Sequence, residues 1–218
     1  MEKNFFTNRR FFVTGFLVFF CLGFIIFFSG NETLSLAFQE AVVGVAFFLV
    51  IPTLYCTMIL KESLKNIGWH WGELREGIFA GVVSLVVASF LFVVATFLFP
   101  EIKEAYALPL FVQKNFLWFV LYEMILVPFT IFLYEMFFRG FVQLLWLRQN
   151  GLWGVGVGVS LFFLTMFLQD SITWSLFALF LFCPFSAWIA HRSGSIRYSF
   201  FTQWLFLLLA DVFLLILQ

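Results

Sequence analysis

Residues Phe116–Leu147 read FLWFVLYEMILVPFTIFLYEMFFRGFVQLLWL, longer than the roughly 20 apolar residues a helix needs to cross a bilayer core. The run is continuous rather than alternating, which specifies a membrane helix and not a strand of a barrel. Runs of the same kind fill most of the chain. They lie near Phe11–Phe28, Leu34–Leu60 and Ile78–Phe99 before it, and near Leu152–Gln169, Ile172–His191 and Ile196–Leu217 after it. The predicted fold is therefore all-α: a polytopic membrane helix bundle of about seven transmembrane helices in one domain over residues 1–218. Its N-terminal part is a three-helix unit, residues 1–114, and the remainder, 115–218, forms the core of the bundle.

Composition supports this directly. Of 218 residues, 63% are hydrophobic and 11% charged, whereas ordinary domains have about 45–50% and about 25%. One water-soluble core of this size cannot hide so much apolar surface, 37 phenylalanines included. A cytosolic enzyme, a nucleic-acid binder and a disordered tail are excluded. Net charge is zero, so bulk charge selects no partner. Cys21, Cys56 and Cys183 stand in apolar runs without CxxC or Cys/His spacing, as small buried side chains do, so neither a disulfide framework nor a structural zinc site is expected.

The first run follows Lys3, Arg9 and Arg10, as a signal peptide would. It is too long for one, and Ser29-Gly30-Asn31-Glu32 is no convincing cleavage site, so it reads as a retained signal anchor. Ten of the twelve basic residues fall at one side of the alternating spans: Lys3, Arg9, Arg10, Lys61, Lys65, Arg75, Arg139, Arg148, Arg192 and Arg197. Only Lys103 and Lys114 fall at the other. The positive-inside rule then expects the N-terminus in the cytoplasm and the C-terminus outside. The longest polar connection, Lys61–Gly77, is expected to form a short interfacial helix with Trp69 and Trp71 at headgroup depth. The outer connection Pro100–Lys114, with Pro109, has no further signal.

An ionisable side chain at membrane depth costs about 2.5–3.5 kcal/mol on insertion scales, so each one needs a partner or a purpose. Glu135 and Arg139 are four apart, on one helical face, with the acid one turn N-terminal to the guanidinium. Pro128, seven residues before Glu135, is expected to kink the helix and aim this turn into the bundle. Glu123 is seven residues inside the outer end of its span and Asp211 six, depths of about 9–10 Å at 1.5 Å per residue. The two carboxyls can meet if their helices are neighbours, and would then share a proton. Separate contacts to backbone or water are the plainer alternative. Glu40 stands near a span end and is expected to reach solvent. Gly154-Val155-Gly156-Val157-Gly158 reads as a close-packing face.

The stretch Tyr134-Glu135-Met136-Phe137-Phe138-Arg139-Gly140-Phe141-Val142-Gln143 resembles the Glu-Glu-x-x-Phe-Arg-Gly signature of the CAAX prenyl protease and bacteriocin-processing (CPBP) family of intramembrane endopeptidases. Ser193-Gly194-Ser195-Ile196, after the small-residue run Ser186-Ala187-Trp188-Ile189-Ala190, resembles that family's approach to its last motif helix. The resemblance covers about Phe116–Leu217 and implies a multi-pass protein of a bacterial cytoplasmic membrane. In that family a glutamate and a histidine are thought to activate water, and a second histidine and an asparagine to stabilise the oxyanion. Carried over, the first glutamate falls on Tyr134, while the second glutamate and the arginine are present as Glu135 and Arg139. The first histidine falls on Met166 or Phe167 according to register, and the His-x-x-x-Asn pair falls on Gln203 and Leu207.

The chain has two histidines, His70 and His191, neither on those spans. A tyrosine hydroxyl, with an ordinary pKa of about 10, is a poor general base near neutrality. There is no His-Glu-x-x-His, so no metal or other cofactor is expected. Three readings stand open. One is a catalytically degenerate family relative that binds a membrane-embedded or lipidated peptide, or a partner protein in a hetero-complex, with Gln203, Glu123 and Asp211 as binding residues and membrane lipid around it. Another is an active endopeptidase using Glu135, although a carboxylate one residue over points about 100° away around the helix. The third is a transporter component with Glu123, Asp211 and Glu40 along an ion path, without paired broken helices to support it.

Overall fold

The computed structural model describes residues 2–28, 35–106, 112 and 115–217, and every element among them is helical. Helix α1 spans Glu2–Ile26. Helix α2 begins with Leu36–Val45 and continues through π-helical turns at Ala46–Val50 and Tyr55–Ile59. Then follow α3 (Leu74–Leu98), the short outer α4 (Pro100–Ala105) and the long α5 (Phe116–Trp146). The chain closes with α6 (Leu152–Leu168), α7 (Phe177–Ser193) and α8 (Ile196–Leu217). The expected spans end within a few residues of these helices. Ser29–Glu32, Pro109 and Lys114 lie outside the described residues.

Six helices among the described residues are long and apolar enough to cross a bilayer: α1, α2, α3, α5, α8, and α7 with the turn Trp174–Leu176 that leads into it. The seventh expected span, α6, has 17 residues. At 1.5 Å per residue it reaches about 26 Å, short of a hydrocarbon core of about 30 Å. It stops at Gln169, followed by Asp170 in a left-handed conformation at φ 51°. Its glycine stripe packs on one side only. A side chain at Gly154 would meet the Leu147 carbonyl and Gly158 faces Phe138 and Gln143, whereas Gly156 faces open space.

Helix α5 is the hub, touching α1, α2, α6, α7 and α8. On one side of it Phe48, Phe137, Phe138, Phe141 and Phe162 form a buried aromatic core. Their rings meet edge-on or tilted, as ring quadrupoles prefer: Phe138 and Phe162 lie 5.2 Å apart at 85°. A second core, built on Phe92, Phe182 and Phe206, joins α3, α7 and α8. Many other phenylalanines face outward, Phe12, Phe16 and Phe27 more than two-thirds exposed. A continuous apolar exterior of that extent suits lipid rather than water. The chain is an integral membrane protein of several helices.

The expected break at Pro128 takes a definite form. The proline ring crowds the carbonyl four residues back, and the turn immediately before it, Tyr122–Leu126, is opened to π geometry, with the Val127 amide donating to the Tyr122 carbonyl. Pro52 in α2 likewise follows a π turn, Ala46–Val50. Beyond Pro128, α5 runs as an α-helix over Val127–Tyr134 and then as a π-helical stretch over Glu135–Trp146. Such stretches are rare and concentrate at functional sites.

The connection after α2 is not the expected interfacial helix. It holds a single 3₁₀ turn, Leu64–Ile67, ended by Gly68 at φ 83°. Trp69 and Trp71 follow that turn, with the Arg197 guanidinium 4.9 Å and 4.6 Å from their rings. Two cation–π contacts hold the tryptophans against α8 in place of a helix. Ile67 from the turn presses on α5 at Gly140, where a Cβ would lie 2.5 Å from its Cγ2 and 2.7 Å from its carbonyl oxygen. The glycine of the Phe-Arg-Gly motif is thus needed for close approach.

Candidate functional site

The π-helical stretch of α5 turns Glu135, Arg139 and Gln143 into the seam between α5, α7 and α8. All three are buried. The expected pairing forms, but loosely: Arg139 Nε is 3.6 Å from Glu135 Oε1. The tighter link runs through Ser186 of α7. Arg139 Nε donates to the Ser186 hydroxyl at 2.8 Å, and that hydroxyl donates to Glu135 Oε1 at 2.5 Å. The other carboxylate oxygen accepts from the Ser199 hydroxyl of α8. Arg139 Nη2 donates to the Cys183 carbonyl at 2.7 Å, and Gln143 donates to the Ala187 carbonyl at 2.8 Å. Arg139 also lies 5.9 Å from the centre of the Phe162 ring.

This is a polar cluster in an apolar seam, tied together from three helices, in which Arg139 Nη1 and the Gln143 side-chain oxygen are left without a partner. Both oxygens of Glu135 accept from hydroxyls, and the side chain is buried away from bulk water. Sequence reasoning missed Ser186, Ser199 and Cys183. The available signal was their rarity as polar positions in apolar spans: Ser186 opens the small-residue run on α7, and Ser199 precedes Gln203 by one turn on α8.

The other positions fall out as follows. Tyr134 packs against Phe48, Phe138 and Phe162, with ring centres 5.6, 6.3 and 5.7 Å away. Phe167 points out of the bundle, 64% exposed, so of the two registers only Met166 faces inward, where it joins the aromatic core. Gln203 is buried on α8 with its side-chain oxygen unpartnered. His70 and His191 lie at the end of the bundle where the basic residues gather, in one pocket with Lys65 and Arg148. The groups acting on Glu135 are Arg139, Ser186 and Ser199, and no imidazole is among them.

At the other end, α5 and α8 do bring Glu123 and Asp211 together. The Trp204 indole donates to the Glu123 carbonyl at 2.8 Å, fixing the two helices at that depth. Glu123 is fully buried and its side chain faces Asp211. Asp211 in turn reaches the Tyr106 hydroxyl from beyond α4. Burial pushes the Tyr106 hydroxyl above its ordinary pKa and the Asp211 charge adds to this, so Tyr106 stays protonated and available as a donor. Glu40 is exposed on α2, as expected. Between α5, α7 and α8 lies a cavity of about 330 Å³, lined among others by Tyr106, Tyr122, Thr130, Tyr134, Leu207 and Asp211. Its lining ends at Tyr134 and includes neither Glu135 nor Arg139.

The chain matches no family model, no curated protein and no solved structure.

Proposed function

We propose that this protein is a non-hydrolytic relative of the CAAX-type intramembrane endopeptidases, which holds a membrane-embedded or lipidated peptide segment without cutting it. The observation that carries the reading is the closed arrangement around Glu135. Its two oxygens are taken by Ser186 and Ser199, Arg139 supplies the countercharge, and phenylalanines pack the helix faces beside it. Peptide hydrolysis needs a base beside open, water-filled space. Here the cavity between α5, α7 and α8 stops at Tyr134, the position where the resemblance expects the base, and does not reach Glu135.

The cavity supports the binding half of the proposal. Its walls are largely Phe, Leu, Ile and Val side chains, which suit an apolar chain, and Thr130, Tyr122 and Asp211 can meet a few polar atoms. In this reading α6 completes a seven-span bundle in a cytoplasmic membrane. The end carrying Arg10, Lys65, Arg148 and Arg192 faces the cytoplasm, in keeping with the positive-inside rule.

The test uses the full chain in nanodiscs, with a panel of prenylated CAAX peptides and leader peptides carrying a photoreactive group. The expected result is no cleavage above the Glu135→Gln variant, and crosslinks at the cavity that Leu207→Trp abolishes. Cleavage by the wild type that Glu135→Gln removes would overturn the proposal, as would crosslinks unaffected by Leu207→Trp.

A further inference from the structure

The basic end of the bundle contains a second cavity, of about 420 Å³, between the turn after α2, the end of α5 and the end of α7. Lys65, Asn66, His70, Arg148, His191 and Arg192 line it. Both histidines of the chain thus converge, from positions 121 residues apart, on a site that no catalytic motif uses. We propose that this pocket binds a phosphate-type anion, held by Lys65 and Arg148 with the two imidazoles beside them.

Charge accounting favours an anion. Arg192 is committed to Glu76, with Nη2 and Oε2 2.5 Å apart, and Arg10 nearby is committed to Glu62 at the same distance. Lys65 and Arg148 enter no ion pair among the described residues, and the acidic lining is Glu73 alone. A metal is disfavoured by position: no three His, Cys, Asp or Glu among the described residues stand close enough together to hold one. A guanidinium and an ammonium converging on one space instead match the oxygens of a phosphate.

The pocket is built in advance of any ligand. Its loop wall is stapled to the turn between α7 and α8 by three hydrogen bonds. The Ile196 amide donates to the Gly68 carbonyl at 3.1 Å, the Glu73 amide donates to the Ser193 carbonyl at 2.9 Å, and the Ser195 hydroxyl donates to the His70 carbonyl. Gly72, at φ 53°, lies so close to the Ser193 carbonyl that a Cβ would stand 2.1 Å from it. A fixed wall lets binding proceed without the entropy of ordering a loop. The pocket is flanked by the Trp69–Arg197–Trp71 stack, and tryptophan and arginine are side chains of the kind enriched at membrane interfaces. A headgroup phosphate and a free phosphate share the chemistry, and the experiment separates them.

The experiment takes the full chain, delipidated in detergent, and measures thermal stabilisation by inorganic phosphate. In parallel, native mass spectrometry measures retention of phosphatidic acid against phosphatidylcholine. The variants are Lys65→Gln with Arg148→Gln, His191→Gln separately, and Lys103→Gln at the opposite end as control; size-exclusion profiles verify that each is folded. Retention of phosphatidic acid that falls at least about tenfold in the double variant, and not in the control, supports the pocket with a lipid source. Stabilisation by phosphate with the same dependence supports it with a soluble source. His191→Gln, which leaves both fixed cations in place, is expected to weaken binding less than the double variant. Binding that is absent in both assays, or equal in the wild type and the double variant, overturns the proposal.

Discussion

Helix α5 carries two buried glutamates, and the two are treated in opposite ways. Glu135 has a guanidinium on its own helix and a hydroxyl donor from each of two neighbours. Glu123 has another carboxyl, Asp211, as its neighbour, and Asp211 reaches Tyr106 and lines a cavity that Glu123 itself does not. The first arrangement ties α5, α7 and α8 together through one carboxyl group. The second sets two carboxyls beside each other, with open space beyond Asp211. Burial by itself therefore says little about role: the partners decide whether a buried acid ties helices together or stands beside a second acid at the edge of a cavity.

The contrast can be broken most forcefully at Arg139. Arg139→Ala leaves the Glu135 carboxylate buried without countercharge, an expected loss of about 3–5 kcal/mol. It is read as loss of monodisperse protein in detergent and a lowered unfolding midpoint. If Glu135 is charged for structural reasons, the double variant Glu135→Ala with Arg139→Ala loses less than the two single variants combined. Additive losses would show that the pair does not tie the helices together.

A smaller effect is expected at Ser186, the hydroxyl that bridges acid and guanidinium. Ser186→Ala deletes two hydrogen bonds to charged groups but leaves both charges in place, for about 1–3 kcal/mol in the same unfolding measurement. A loss as large as that of Arg139→Ala would mean that the hydroxyl, and not the countercharge, holds the cluster.

The least change is expected at the other end. Asp211→Asn retains an acceptor for Tyr106 and offers Glu123 a donor, so stability should move by no more than about 0.5–1 kcal/mol in either direction. Destabilisation comparable to Arg139→Ala would show that Glu123 and Asp211 form a second lock, and the difference between the two regions would disappear.

Much of this was legible without coordinates. Apolar runs longer than a bilayer is thick have one stable solution, since backbone groups in lipid must bond within their own segment. The helices accordingly appear where hydropathy puts them, α6 alone falling short in length. The facing of Glu135 and Arg139 follows from their spacing of four, whereas equal depth on two spans only permitted Glu123 to meet Asp211, separate contacts being the plainer reading. What could not be read was which neighbours these charges meet. Ser186 and Ser199 are ordinary serines until α7 and α8 set their hydroxyls on either oxygen of one carboxylate. His70 and His191 are unrelated until the connection after α2 folds against the end of α7. Local rules extend over a turn or two of helix, whereas these contacts join residues far apart along the chain. Hydropathy determined that the protein is a membrane bundle; side-chain packing among α5, α7 and α8 decided which of its acids is held by hydroxyls and a guanidinium and which meets a second acid.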